Sequence, residues 1–185
     1  MAQLVIIDVQ QCFDGSKDLD EKILEYSKEF ADIVFIQDII NGDEVFPHDM
    51  WEEMAIAFEN GEFSPMIIQK EYAFFRGLMD KGCDEDFIVD LGKLMVKKNI
   101  WDAREISEDM EAAEELQKLY KKHGEEEIDF EGWSFYLPHA IEEIGDKIIQ
   151  GAILVGGGYN ECLKEISLLL NVLDIQHSIN QAYVY

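Results

Sequence analysis

The sequence predicts an α/β fold built on a largely parallel sheet. Three observations carry that reading. Short β-branched runs lack polar alternation, as strands buried on both faces do. Helical periodicity fills the intervals between them. A charged residue or a glycine turn closes several of the runs, where such sheets place their sites.

Leu4–Ile7 is the first buried strand, and it ends at Asp8. Leu19, Ile23, Tyr26 and Phe30 recur at spacings of three and four and predict a helix. Ile33–Gln37 is the second strand, followed by Asp38 and by a loop over Asn41–His48 with Gly42 and Pro47. Pro65–Gln69 is the third, closed by Lys70. Ile149–Gly156 is the fourth; Gly156-Gly157-Gly158 then leads to Cys162 and a helix bearing Leu163, Ile166, Leu169, Leu170 and Leu173. Ile175, His177 and Ile179 alternate with polar residues as a last strand. Between the third and fourth strands, residues 77–133 show helical faces (Phe87, Ile88, Leu91, Leu94, Met95, then Ala112, Ala113, Leu116, Leu119, Tyr120) and acidic loops, a helical insertion. With no repeat and no low-complexity linker, residues 1–185 are expected to form a single domain.

The chain carries 15 Lys+Arg against 40 Asp+Glu, a formal charge of −25. Phosphate backbones require clustered cations, so nucleic-acid binding is not expected, nor is docking to an anionic membrane surface. The three cysteines (Cys12, Cys83, Cys162) are too few and too scattered for a disulfide framework, which suits a reducing compartment. With no long apolar run and no basic leader, a cytoplasmic protein is expected.

Three strand ends bear residues that chemistry can use. Cys162 follows a glycine turn near a helix start, with Asn160 as the expected N-cap. Free N–H groups and the positive end of the helix dipole favour a thiolate and can hold an oxyanion. Asp8 supplies a proton acceptor, and Lys70 a cation that stabilises a thiolate. Each has a plainer reading alone: a packed cysteine, a turn acid, a lysine reaching water. Together they make a base, a cation and a nucleophile at three strand ends of one sheet.

The segment LVIIDVQQCF, with Asp8, Val9, Gln10 and Phe13, resembles the opening of the isochorismatase-like cysteine hydrolases, the superfamily of nicotinamidases and related amidases. QKEYAFF, with Lys70, Ala73 and Phe74, is similar to the stretch around that family's lysine, and Gly156 and Cys162 keep its glycine-to-cysteine spacing, with Ala182 as the counterpart of a later alanine. The resemblance covers roughly residues 3–76 and 134–185. It implies a three-layer α/β/α fold, usually a homo-oligomer, and hydrolysis of a small amide-type C–N bond through an acyl-enzyme. Asp8 would be the general base, Lys70 the stabiliser and Cys162 the nucleophile. The N–H groups of Gly158 and Cys162 would form the oxyanion hole, and a cis peptide would join Gly157 to Gly158. Phe13, Phe74 and Tyr159 would line the pocket of a small-molecule substrate.

Departures from the family pattern favour an alternative: a catalytically inactive ligand-binding or interaction protein on the same scaffold. Tyr159 and Glu161 replace small or hydroxyl residues in the turn, Glu161 sets a negative charge beside the thiol, and Ile166 stands where a Thr is usual. The family's metal-ligating His after the second strand is missing; Asp38, Ile39 and Ile40 stand there, and Asp38 with His48 is short of a ligand set, so no metal is expected. His123, His139 and His177 are scattered and read as structural. VGGGYNEC lacks the spacing of a dinucleotide fingerprint and the Lys-Ser/Thr of a P-loop, so no nucleotide cofactor is expected.

Overall fold

The computed structural model describes residues 2–9, 17–37, 66–69, 73–130, 132, 134–137 and 141–185. Five parallel strands form one sheet: β1 (Leu4–Ile7), β2 (Ile33–Gln37), β3 (Met66–Gln69), β4 (Ala152–Gly156) and β5 (His177–Ile179). Their order is β3-β2-β1-β4-β5. The chain winds outward from β1 to β3, then returns to β4 on the other side of β1. The reversal between β1 and β4 is the switch point at which open α/β sheets bind ligands.

The chain divides into two compact units. Unit 1 comprises Met1–Lys70, Glu143–Lys164 and Ile175–Tyr185; unit 2 comprises Glu71–Glu142 and Glu165–Asp174. In unit 1, register aligns Leu4 with Ile33 and Ile153, and Ile6 with Phe35 and Val155. These residues form one face, packed with Ile23, Leu19 and Leu24 of α1 (Lys17–Ser27) and with Tyr183 and Tyr185. Tyr183 stacks on Tyr26 at 4.4 Å. Val5, Ile7, Val34, Ile36 and Leu154, of opposite parity, are equally buried. Continuous apolar runs are therefore required, because neither face meets water. Parallel strands alternating with helices in one sheet whose residues are buried on both faces are consistent with α/β/α layering.

Gln3 is a polar residue only 2% exposed, and its amide is fully used. Nε2 donates to Asp32 Oδ2 (3.0 Å) and to the Lys147 carbonyl (2.9 Å), and Oε1 accepts from Ile149 N–H (3.0 Å). It ties the start of β1 to the end of a short helix, whose full extent is Ile141–Lys147. The fourth strand begins at Ala152 rather than Ile149. Gly151 turns the backbone with φ 84°, and Ile149 is 44% exposed, so its apolar character does not report a strand.

Unit 2 is helical. It contains α2 (Ala73–Asp80), α3 (Glu85–Lys98), a 3-10 helix (Ala103–Glu108) and α4 (Met110–His123). The helix from Ile141 is α5, and the one over Cys162–Val172 is α6, whose residues from Glu165 onward belong to this unit. Asp84 and Asp109 cap α3 and α4 by accepting two backbone N–H groups each. Asn99 and Gly124 end them in left-handed conformation. Phe87 stacks on Tyr120 at 5.4 Å, and Leu91, Met95, Ala112 and Leu116 are buried with them. His123, in the last turn of α4, reaches Asp90 Oδ2 at 2.8 Å. Burial alone would raise the Asp90 carboxyl, but hydrogen bonds from Lys122 and His123 outweigh it and hold it below the usual range. Among the described residues no helix is long and apolar enough to cross a membrane.

Asp102 is 7% exposed and does two jobs: it caps the 3-10 helix through Arg104 N–H and grips the Arg104 guanidinium through both carboxylate oxygens. The Arg104 hydrogen bond holds its carboxyl below the usual range. A depressed folded pKa contributes stability that is complete above the unfolded value near ~3.9 and is lost as pH falls through the folded value. Asp102→Ala should therefore cost about 1–2 kcal/mol in urea unfolding at pH 6. The gap between variant and parent should narrow at pH 3; a gap that widens there rejects this account.

Candidate functional site

The switch point lies within unit 1, and glycine builds it. Ile7 of β1 is in register with Gly156 of β4. A Cβ on Gly156 would lie 2.4 Å from the Ile7 carbonyl oxygen and 2.7 Å from Val9 Cγ2, and its φ is 78°. No side chain fits, so the end of β4 runs directly against the chain leaving β1. Gly157 is also left-handed (φ 56°), and a Cβ there would lie 3.2 Å from Leu163 N and 3.4 Å from Ile7 Cγ2.

Asp8 ends β1. Its N–H donates to the Ile36 carbonyl (2.9 Å), completing the ladder, and its φ of 48° turns the chain out of the sheet. The residue is 2% exposed. A carboxyl so buried beside a strand end is a costly placement that function can use.

The turn after β4 carries Cys162. The Gly158 carbonyl accepts from Glu161 N–H (3.0 Å) and Leu163 N–H (3.3 Å). The helix begins at Cys162, so Asn160 stands too early to cap it; the Gly158 carbonyl meets these first amides instead. The N–H groups of Gly158 and Cys162, assigned to the oxyanion hole by resemblance, are not the ones this carbonyl engages. The Gly157–Gly158 bond is trans, correcting the expected cis peptide. Two successive left-handed glycines make the reversal here, so no cis bond is needed for it. Cys162 is a thiol outside any disulfide, 9% exposed. The other described cysteine, Cys83 in unit 2, has its thiol pKa pushed up by burial first and then by Glu125, away from a reactive thiolate.

Glu161 folds back over the turn. Its Oε2 lies 3.3 Å from the Cβ position of Gly158. Tyr159 is 43% exposed, and its N–H donates to the Tyr185 carbonyl (3.4 Å), while Tyr185 N–H donates to the Gly157 carbonyl (3.1 Å). The Tyr185 hydroxyl donates to the buried Asp20 carboxylate of α1, and burial together with that bond raises its pKa far above the ordinary tyrosine value. These contacts anchor the glycine turn to α1. The sequence reading missed both residues: Asp20 and Tyr185 are 165 positions apart, and no local pattern links them.

Asp8, Gly158, Tyr159 and Cys162 thus belong to one unit, at the ends of neighbouring strands and the turn that follows. Lys70 and Phe13 lie outside the described residues, as do Asp38 and His48. Phe74 is fully buried in α2, edge-to-face with Phe75 at 5.0 Å, a core position of unit 2. In comparisons with known proteins, the chain matches no family model, no curated protein and no solved structure.

Proposed function

We propose that the chain is a cysteine-dependent hydrolase of the isochorismatase-like type, acting on a small amide-type C–N bond. One observation carries the reading: a buried acid follows β1 and a buried cysteine follows β4, the two strands that meet at the switch point, and a glycine turn leads into the cysteine. Asp8 accepts the Cys162 proton, and the thiolate adds to the substrate carbonyl. The Gly158 and Cys162 N–H groups receive the oxyanion. Asp8 returns its proton to the departing amine as the C–N bond breaks, leaving a thioester. Asp8 then takes a proton from water, the hydroxide adds to the thioester carbonyl, and the thiolate leaves. Lys70 is assigned the role of thiolate stabiliser by resemblance.

The test is ammonia release from a panel of small primary amides, with nicotinamide and simple carbamoyl compounds among them. Cys162→Ala should abolish turnover, and Asp8→Asn should lower it by roughly 10²–10⁴-fold. Hydrolysis unchanged in Cys162→Ala rejects the proposal.

A second reading, ligand binding without turnover, is favoured by Glu161. Its carboxylate sits over Gly158, where it opposes both an oxyanion and a thiolate. The rate of Cys162 alkylation against pH separates the two readings. A thiol titrating well below ~8.5 supports the hydrolase, and one that stays inert supports the binder.

A further inference from the structure

Unit 2 contains a hollow of about 730 Å³. That volume falls within the ~300–1,000 Å³ typical of small-molecule sites. Its walls are the 3-10 helix, one face of α4 and the chain over residues 127–130. Ile106, Leu116 and Tyr120 are buried beneath it, and the half-buried Ile128 and Phe130 present its apolar surface.

The charges on the walls are one-sided. Asp102, Glu105, Glu108, Glu127 and Asp129 line the hollow, and Arg104 is the one cation among its described lining residues. The carboxylate of Asp102 already grips that guanidinium. Glu105, Glu108 and Glu127 therefore add negative charge to the interior, with no second cation among the described lining residues. Low-dielectric walls concentrate such a field.

The walls are also held in place before any ligand arrives. Asp102 caps the 3-10 helix, and Asp109 caps α4. Ile128 N–H donates to the Tyr120 hydroxyl (3.1 Å), and Gln117 Nε2 donates to Glu127 Oε1 (3.0 Å). Both bonds pin the third wall to α4. A preformed site loses less entropy on binding.

We infer that this hollow binds a small organic cation: a protonated amine carried on an apolar or aromatic body. The body packs on Ile128 and Phe130, over the buried Ile106, Leu116 and Tyr120, and the ammonium meets Glu105, Glu108 and Glu127. The same field excludes anions of equal shape. This inference is independent of the proposed hydrolysis, and its test reads binding alone.

Tryptamine and indole-3-propionate share an indole body and differ in the sign of the side-chain charge. Titrated calorimetrically into the full chain at low ionic strength, tryptamine should bind at one site per chain, and indole-3-propionate at least tenfold more weakly. Glu105→Gln combined with Glu108→Gln should weaken tryptamine at least fivefold. Glu21→Gln with Glu29→Gln removes the same charge from exposed positions of unit 1 and should leave the affinity unchanged. Equal binding of the two probes, or equal weakening by the two double variants, overturns the inference. So does the absence of tryptamine binding to the parent chain.

Discussion

Gly156→Ala should destabilise unit 1 by about 3–5 kcal/mol, a large part of the ~5–15 kcal/mol that holds an ordinary domain together. Two costs add. A non-glycine residue at φ 78° meets its own backbone, at roughly 1–2 kcal/mol. The new Cβ also falls 2.4 Å from the Ile7 carbonyl oxygen, a backbone atom fixed within the sheet. It cannot swing aside as a flexible side-chain tip would, so either β4 or the turn after β1 must shift. Three other left-handed glycines separate the two costs. Gly124 and Gly151 have nothing within 4 Å of their Cβ positions, so alanine there should cost only about 1 kcal/mol. Gly157, whose nearest neighbour is Leu163 N at 3.2 Å, should fall between. Urea unfolding of the four variants should rank Gly156 first, Gly157 second and the open pair last. A Gly156 variant no worse than the Gly124 variant would show that β1 and β4 do not meet as closely as described.

Legibility in the sequence followed how local each determinant is. The cores of β1, β2 and β3 were readable because burial on both faces demands continuous apolar runs. The faces of α3 and α4 were readable because Phe87–Met95 and Ala112–Tyr120 repeat at helical spacing. The start of β4 was misread because hydrophobicity does not distinguish a buried isoleucine from the exposed Ile149. The cap of α6 was misread for a related reason. Asn160 has the right side chain, but a backbone carbonyl four residues before Cys162 meets the first amides. Asp8 and Cys162 could be placed beside the switch point because strand ends can be located from sequence and the switch-point rule says which ends lie there. The Tyr185–Asp20 anchor and the hollow of unit 2 were out of reach, because both are assembled from segments whose proximity only the folded chain establishes.

The second large effect is expected at Phe135. Its ring is fully buried in unit 2 and meets Phe130 edge-on at 5.5 Å. A Cβ on Gly77 of α2 would lie 2.1 Å from the Phe135 ring, so glycine there is the complement of the phenyl group. The backbone around Phe135 is fastened as well. Its carbonyl accepts from Ala103 N–H (2.9 Å), Leu137 N–H donates to the Trp101 carbonyl (2.7 Å), and Asp102 bridges to Tyr136. Phe135→Ala should therefore cost about 3–5 kcal/mol, through lost burial and the cavity left behind. Gly77→Ala alone should cost about 1–3 kcal/mol, because the ring must move off its site. Combined, the two should cost less than their sum by at least ~1 kcal/mol, since the new methyl enters space the ring has left. Simple additivity in that cycle would mean that Gly77 and Phe135 do not share a site. Because Ala103 and Phe130 also line the hollow, Phe135→Ala should weaken tryptamine binding even under conditions where the variant remains folded. Gly124→Ala, at an open position that ends α4, should leave that binding near the parent value. The comparison separates loss of the wall from a general loss of stability, because a merely destabilised chain that stays folded keeps its site.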